Sequence, residues 1–440
     1  MKVYNNLTRK LEDFVPLNGR EVTIYSCGPT VYDHSHIGHA RSAITWDLLY
    51  RHLKHRGYAV KWARNITNVD DKIVKRAGEL GISPDQLSRK FTYEFWADMT
   101  ALNVSWPDYE PRATDYIAEM ISFIEDLIAS GFAYTAGGDV YFRVAKHKAY
   151  GQLKGLSLDK LREGVARVDE NKLKEDQLDF ALWKSFSTET DAFDSPWGKG
   201  RPGWHLECST MIESLFGATI DIHAGGDDLI FPHHENECAQ SECHSSKPLA
   251  KYWMHNGMVM INGAKMSKSE NNFFTIKDVL AKYKANTVRY FCLSTHYKKQ
   301  INFTDEALAA AETGFDKLLK SIAGVEAKAD DKALIAKFET AMDADLNSPQ
   351  ALALLFETGS SSASTVAYLL AVLGFDLNAT GSNTDNSAAL TATMDLILDL
   401  RADARAKKDF ATGDKIRDQL TKAGITIKDY RDKPSDWELA

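Results

Sequence analysis

Residues 21–66 limit the folds open to this chain more than any other stretch. EVTIYSC (21–27) alternates apolar and polar side chains, the period of a half-buried strand. A loop with Gly28 and Pro29 follows, then a helical pattern from about Ala40 to Arg56 that Gly57 stops. YAVKWARNI (58–66) reads as a second strand. Strand, helix and strand at this spacing form a βαβ unit, which implies parallel strands and a right-handed crossover.

Further along, two or three helices fill about 71–131, and AYTAGGDVYFRV (133–144) reads as a hairpin on a Gly-Gly turn. The stretch from 145 to about 200 is polar and charged with few periodic signals, so it reads as part of an insertion. The α/β pattern then resumes: a helix from about Trp204, a strand TIDIHA (219–224), a helix from about His233, and a strand around YWMHNGMVMI (252–261). Helix signals dominate from about Phe273. Residues 374–388 are rich in Gly, Asn and Ser and read as a linker before a short basic segment. The expected architecture is α/β. A doubly wound parallel (Rossmann-type) sheet occupies 1–130 and 200–250, with an inserted subdomain at 131–199. A connecting region at 251–310, an all-α helical bundle at 311–375 and a small domain at 389–440 follow.

Bulk properties bound the function. A chain of 440 residues predicts two to four domains. No apolar run approaches the roughly 20 residues that span a bilayer, and the first residues show no secretory pattern. A cytoplasmic protein without membrane attachment is expected. Five cysteines, an odd number, argue against a disulfide framework. The net charge of -8 does not announce nucleic-acid binding, so any such surface must be local.

Two short motifs carry chemistry. His36-Ile37-Gly38-His39 directly follows the first strand and opens the first helix. A helix start offers unpaired N–H groups and partial positive charge to phosphate. Gly38 lets a flat ligand lie on the backbone, and the two imidazoles can donate to phosphate oxygens. Lys265-Met266-Ser267-Lys268-Ser269 follows a strand and a tight Asn262-Gly263 turn. Two ammonium groups three residues apart can neutralise the β- and γ-phosphates of ATP as pyrophosphate leaves. Alone, either motif is a common structural or solvated segment. In this order and placement they resemble the paired motifs of class I aminoacyl-tRNA synthetases, which implies ATP with Mg2+ and an aminoacyl-adenylate.

Soft-metal ligands lie in separate segments: Cys27 at the first strand's end, Cys208 in GWHLECS, and His233 and Glu237 in FPHHENE. His233 and Glu237 are i and i+4 on an expected helix and share its face. Two thiolates, an imidazole and a carboxylate make a plausible zinc set. Cys238, Cys243 and His244 stand nearby but read as buried structural residues. His234 competes with His233 through register, and His205 and His223 read as hydrogen-bonded crevice residues.

CGPTVYD-HSHIGHAR, NITNVDDKI, SPWGKGRPGWHLECS, GGDDLIFPHHENE and KMSKS together resemble the cysteinyl-tRNA synthetase family in order and spacing, over about residues 20–305. The resemblance is looser from there to about 435. It implies one Zn2+ held by Cys27, Cys208, His233 and Glu237, with the substrate cysteine thiolate on the same metal. It also implies an ATP site of Gly28, Thr30, His36, Gly38, His39, Lys265, Ser267 and Lys268. His36, His39, Lys265 and Lys268 carry the catalysis. Trp204 is expected to floor the substrate pocket, and Asp228 to meet the substrate ammonium. Asp227 stands where the family often has serine, so either carboxylate can face inward. The partners implied are tRNA(Cys), ATP and L-cysteine, acting on a monomer.

The segment 401–433 holds ten basic and six acidic residues, a local +4. Tyr430 and Trp437 offer stacking faces for unpaired bases. Composition alone equally suits an ordinary charged helix, and the resemblance places anticodon recognition here. A cysteine:amino-sugar ligase of the mycothiol type shares the catalytic unit but would not need this tail. A catalytically dead RNA-binding module would not need both ATP motifs. A methionine-activating relative would usually carry a separate cysteine-rich zinc knuckle.

Overall fold

The computed structural model describes residues 1–165, 172–186, 192–265, 273–377, 394, 397–402, 404, 405, 407, 409–422, 425–430 and 435–439. Two compact units divide the chain, Met1–Asp376 and Leu377–Ala440.

The first unit is organised around a parallel sheet. β1 (Glu21–Ser26), α1 (Ile37–His55) and β2 (Ala59–Arg64) form the βαβ unit read from the sequence. After the insertion come α2 (Trp204–Phe216), β3 (Ile220–Gly226), α3 (Glu235–Ser245) and β4 (Ala250–Asn256). The strand order is β4-β3-β1-β2, all parallel. Val22, Ile24, Ile220, Ile222 and Met254 are fully buried, as expected of a parallel sheet covered on both faces. The order reverses between β1 and β3. In doubly wound sheets the crevice outside the carboxyl ends at that point binds ligands.

α1 begins at Ile37, earlier than the apolar periodicity indicated, because its cap is made by the motif itself. The His36 ring accepts from the Gly38 N–H, and the His39 ring accepts from the His36 N–H. Two otherwise unpaired helix-start donors are satisfied reciprocally.

The insertion is more ordered than its composition suggested. Strands Ala133–Ala136, Asp139–Phe142, Phe180–Ser185 and Gly200–Pro202 form an antiparallel sheet. Gly137 and Gly138, at φ 65° and 93°, make the hairpin turn. Val140, Phe142, Leu182 and Trp183 pack against Phe123, Ile124 and Leu127 of helix Ile117–Ala129. FALWKS (180–185) carried no clear strand signal because its short apolar run sits between charged segments.

Two further departures concern the region after β4. The strand expected over 252–261 is broken at Gly257, where a Cβ would lie 2.5 Å from the Lys299 backbone. The second piece, Val259–Ile261, pairs antiparallel with Ala264–Lys265 across Asn262 and Gly263, both at positive φ. It also pairs parallel with Ile301–Phe303, a strand inside the stretch read as helical. Helices Asp305–Ser321, Lys332–Met342, Ser348–Thr358 and Ala363–Val372 then form the bundle. Buried Arg289 ties it to α1, pairing with Asp47 at 2.8 Å and donating to the Leu373 carbonyl.

In the second unit, helix Phe410–Lys422 precedes a hairpin of Ile425–Lys428 with Asp436–Leu439. Arg401, Arg405 and Arg417 all pair with Asp429, whose carboxyl they hold well below the usual range, Arg401 most strongly. Part of the local positive charge is thus neutralised inside the unit, so the sequence count overstates what faces outward. Trp437 sits opposite Ile427 in the hairpin. Among the described residues no helix is long and apolar enough to cross a membrane.

Candidate active site and metal centre

The carboxyl ends of the parallel strands gather the chemistry. Cys27 follows β1, and its N–H donates to the Ala224 carbonyl of β3. Next to it, Gly28 donates to Asn65 Oδ1 at 2.8 Å. A Cβ at Gly28 would lie 1.7 Å from the Asn65 carbonyl oxygen, so only glycine fits. Thr30 pairs with Thr67 just beyond β2.

Cys27, Cys208, His233 and Glu237 present ligand atoms that all lie within 4.8 Å of one another. Cys27 Sγ is 3.8 Å from Cys208 Sγ and 3.8 Å from Glu237 Oε1. His233 Nε2 is 2.8 Å from Glu237 Oε1 and 3.8 Å from Cys208 Sγ. The helix predicted from His233 begins only at Glu235. Ile230–His234 forms a wider turn with Phe231 in extended conformation. His233 and Glu237 still meet, through that turn rather than along one regular helix face.

A second quartet overlaps the first: Cys27, His223, His234 and Glu237. His234 Nε2 is 3.2 Å from Cys27 Sγ, while its Nδ1 bonds His255 Nε2 at 2.8 Å. Gly225 makes room for it, since a Cβ there would lie 2.7 Å from the His234 ring. His223 Nε2 contacts Glu237 Oε2 at 2.6 Å, and its ring stacks on Trp253. His205 Nδ1 lies 2.9 Å from His233 Nδ1. The crevice histidines read from sequence as ordinary hydrogen-bonded residues are therefore in direct contact with the candidate ligands. His255 was not foreseen. Its only sequence signal is the polar pair His255-Asn256 at the end of a mostly apolar strand.

Burial sets the charge states. It pushes His205 and His255 down to about 3, leaving both neutral. Burial also opposes charge on His233, but Glu237 and Cys208 raise it to about 10. Cys208 is likewise opposed by burial, yet contacts with Cys27 and His233 bring its thiol down to about 6. Cys27 is raised by burial and by Cys208. Despite its own burial, Glu237 is held well below the usual range by His233 and His223. The donor set is buried, soft and partly anionic, which suits a thiophilic cation.

Cys238, Cys243 and His244 lie outside this cluster. Cys238 bonds Gln152 and Glu242, Cys243 packs on the insertion's core, and His244 pairs with Asp126 and Glu213. Trp204 opens α2 and stacks on His233 with centroids 4.1 Å apart. It remains 39% exposed, leaving part of its surface open. Of the two neighbouring carboxylates, Asp227 is half-buried and Asp228 exposed. Burial and Asp228 raise the Asp227 carboxyl, opposed by Lys298 and Lys154.

On the nucleotide side, the His36 and His39 rings stack 3.7 Å apart. Burial lowers His39 to about 4, so it is a neutral donor. The segment after the lysine-rich motif docks on this turn. Ile37 N–H donates to the Phe274 carbonyl, Ile276 N–H to the Ser35 carbonyl, and His36 bridges Thr275. The segment that follows the second motif is thereby brought against the first, more than 200 residues earlier in sequence. Lys265 ends the short strand Ala264–Lys265. Met266, Ser267, Lys268 and Ser269 lie outside the described residues.

Comparison with known proteins agrees with this geometry. Residues 13–313 match the family of tRNA synthetases class I (C) catalytic domain. Residues 387–434 match the cysteinyl-tRNA ligase anticodon binding domain, and 337–361 a DALR domain. The chain is 42% identical to the cysteine–tRNA ligase of Heliobacterium modesticaldum and 44% identical to that of Geobacter metallireducens, each over 98% of both chains. Among solved structures it resembles Mycobacterium tuberculosis methionyl-tRNA synthetase in complex with methionyl-adenylate. The TM-score is 0.59 at 17% identity, covering 83% of this chain and 87% of that one, a likeness of fold.

Proposed function

The chain belongs to the cysteinyl-tRNA ligase family of class I aminoacyl-tRNA synthetases, and from that premise we propose that it activates L-cysteine with ATP at this crevice and transfers it to the 3′ end of tRNA(Cys). The observation that carries the reading is the largely buried cluster of Cys27, Cys208, His233 and Glu237 at the carboxyl ends of the parallel strands, one of which leads into the turn that presents His36 and His39. These four residues would hold one Zn2+. When bound, the ion supplies a soft site that favours a thiolate over a hydroxyl, a distinction that a purely organic pocket makes weakly between near-isosteres.

The protein's own groups do the remaining work. His223 and His233 fix the Glu237 carboxylate, and His205 orients the His233 ring. Trp204, stacked on His233, walls the pocket against longer side chains such as that of methionine. Asp227 or Asp228 meets the substrate ammonium, and the half-buried Asp227 is better placed for a desolvated contact. His36, His39 and the backbone at Gly28, Thr30 and Gly38 cradle ATP, bound with Mg2+. Lys265, Ser267 and Lys268 meet the departing pyrophosphate. The tRNA 2′-hydroxyl then attacks the acyl carbon of the adenylate, the acyl–phosphate bond breaks and AMP leaves, so no side-chain nucleophile is required. The match to an anticodon-binding domain over 387–434 favours tRNA over an amino-sugar as acceptor. All five cysteines are free, which suits the cytoplasm.

The test is amino-acid-dependent exchange of labelled pyrophosphate into ATP, offering cysteine, serine and methionine to zinc-loaded and zinc-stripped protein. Exchange with cysteine alone, lost on stripping, supports the reading. Cysteine-selective exchange by stripped protein would remove the metal from it.

A further inference from the structure

The turn that presents His36 and His39 is also fastened from outside the sheet. His34 Nδ1 lies 2.6 Å from Glu94 Oε2. The His34 ring stands edge-on to Phe91, with centroids 5.2 Å apart at 87°. Both partners belong to helix Pro84–Ala101, which Phe91 anchors by its burial. One turn beyond Glu94 is Asp98. Burial and Glu94 push its carboxyl up to about 6, opposed by His34 and Lys277. Lys277 comes from helix Ile276–Leu280, which follows the lysine-rich motif. Ionisable groups from three segments therefore lie close together beside the His36 turn.

The opposite side of the turn is held by backbone. Ser35 accepts from Ile276 N–H at 2.9 Å, and Ile37 donates to Phe274 at 3.2 Å. The His34–Glu94 pair is part-exposed, at 43% and 35%. Such pairs add little to global stability. Its place, two residues before His36, gives it leverage over geometry instead, where small displacements of reacting groups are costly.

We propose that His34 and Glu94 are positioning residues for the ATP site: their pair fixes the turn against helix Pro84–Ala101, so that His36, His39 and the 273–276 segment meet in one geometry. The inference rests on reading His36 and His39 as phosphate-binding groups.

The experiment is pyrophosphate exchange by the full chain, with ATP and cysteine varied separately. Glu94→Ala and His34→Ala should each raise the KM for ATP about two- to five-fold, the range open to a part-exposed pair. The KM for cysteine and the unfolding midpoint should stay unchanged. The double variant should be no worse than either single, because the two side chains act as one unit. Glu94→Asp, which keeps the carboxylate, should recover part of the loss. An unchanged KM for ATP, a parallel rise in both KM values, or additive effects in the double variant would overturn the proposal. His39→Ala is assayed alongside. Full activity there sinks the phosphate reading and the tether with it, whereas loss there with a neutral Glu94→Ala sinks the tether alone.

Discussion

The two halves of the crevice are built in opposite ways. The nucleotide turn is local: His36 and His39 cap their own helix, and their bonds span two or three residues. The metal-side cluster is assembled at long range. Cys27 and Glu237, 210 residues apart, face each other at 3.8 Å, with Cys208 and the histidines delivered by other elements. A local device depends on short-range backbone geometry and shows in a short motif. A long-range one depends on the sheet, and its exact membership depends on register.

The sharpest break of this contrast is Cys208→Ser. It should lower zinc affinity, measured by competition with a chelating indicator, by more than the roughly 100-fold that loss of an outer partner produces. The nucleotide turn should be untouched, with ATP binding by calorimetry preserved. Next in size are His233→Ala and His234→Ala compared. The true ligand should show the ligand-sized loss of zinc affinity, and the other an outer-partner loss of about 10- to 100-fold. A larger loss at His234 would move the site to the second quartet.

On the local side, Gly28→Ala should cost about 1–3 kcal/mol in denaturant unfolding, because the added Cβ strikes the Asn65 carbonyl. Smaller still is the cap. His36→Ala should lose about 1 kcal/mol of stability, while His36→Asn retains it. Both should lose exchange activity if the imidazole meets phosphate. A further local effect concerns pH. His39 has a folded pKa of about 4 against about 6.5 unfolded. Between those values the unfolded chain binds the extra proton, so stability falls as pH drops from about 6.5 to 4. His39→Asn should make that limb shallower in denaturant melts taken across the range, with the buried His205 and His255 accounting for the slope that remains.

Much of this was readable without coordinates, for physical reasons. β1 and α1 could be placed because alternation and helical periodicity are properties of neighbouring residues. Cys27, Cys208, His233 and Glu237 could be named as candidates because they stand at an expected strand end and on expected helices that converge on one crevice, and because the family resemblance implies them. The strand Phe180–Ser185 could not, since its apolar face is defined by the helix Ile117–Ala129 that covers it. Arg401, Arg405 and Arg417 counted as outward positive charge until Asp429 was seen to collect them.

The sequence by itself determined the parallel βαβ start of the sheet, the place of His36–His39 at the opening of the first helix and which soft donors the chain can offer, because each follows from the chemistry of short segments. Tertiary structure decided what those segments become together. It brought the 273–276 segment onto the His36 turn. The wider turn before α3 aims both His233 and His234 at the thiols. His205, His223 and His255 became the partners that set ring orientation and charge. Those outcomes depend on ångström-scale distances between elements far apart in the chain, fixed only when the core packs.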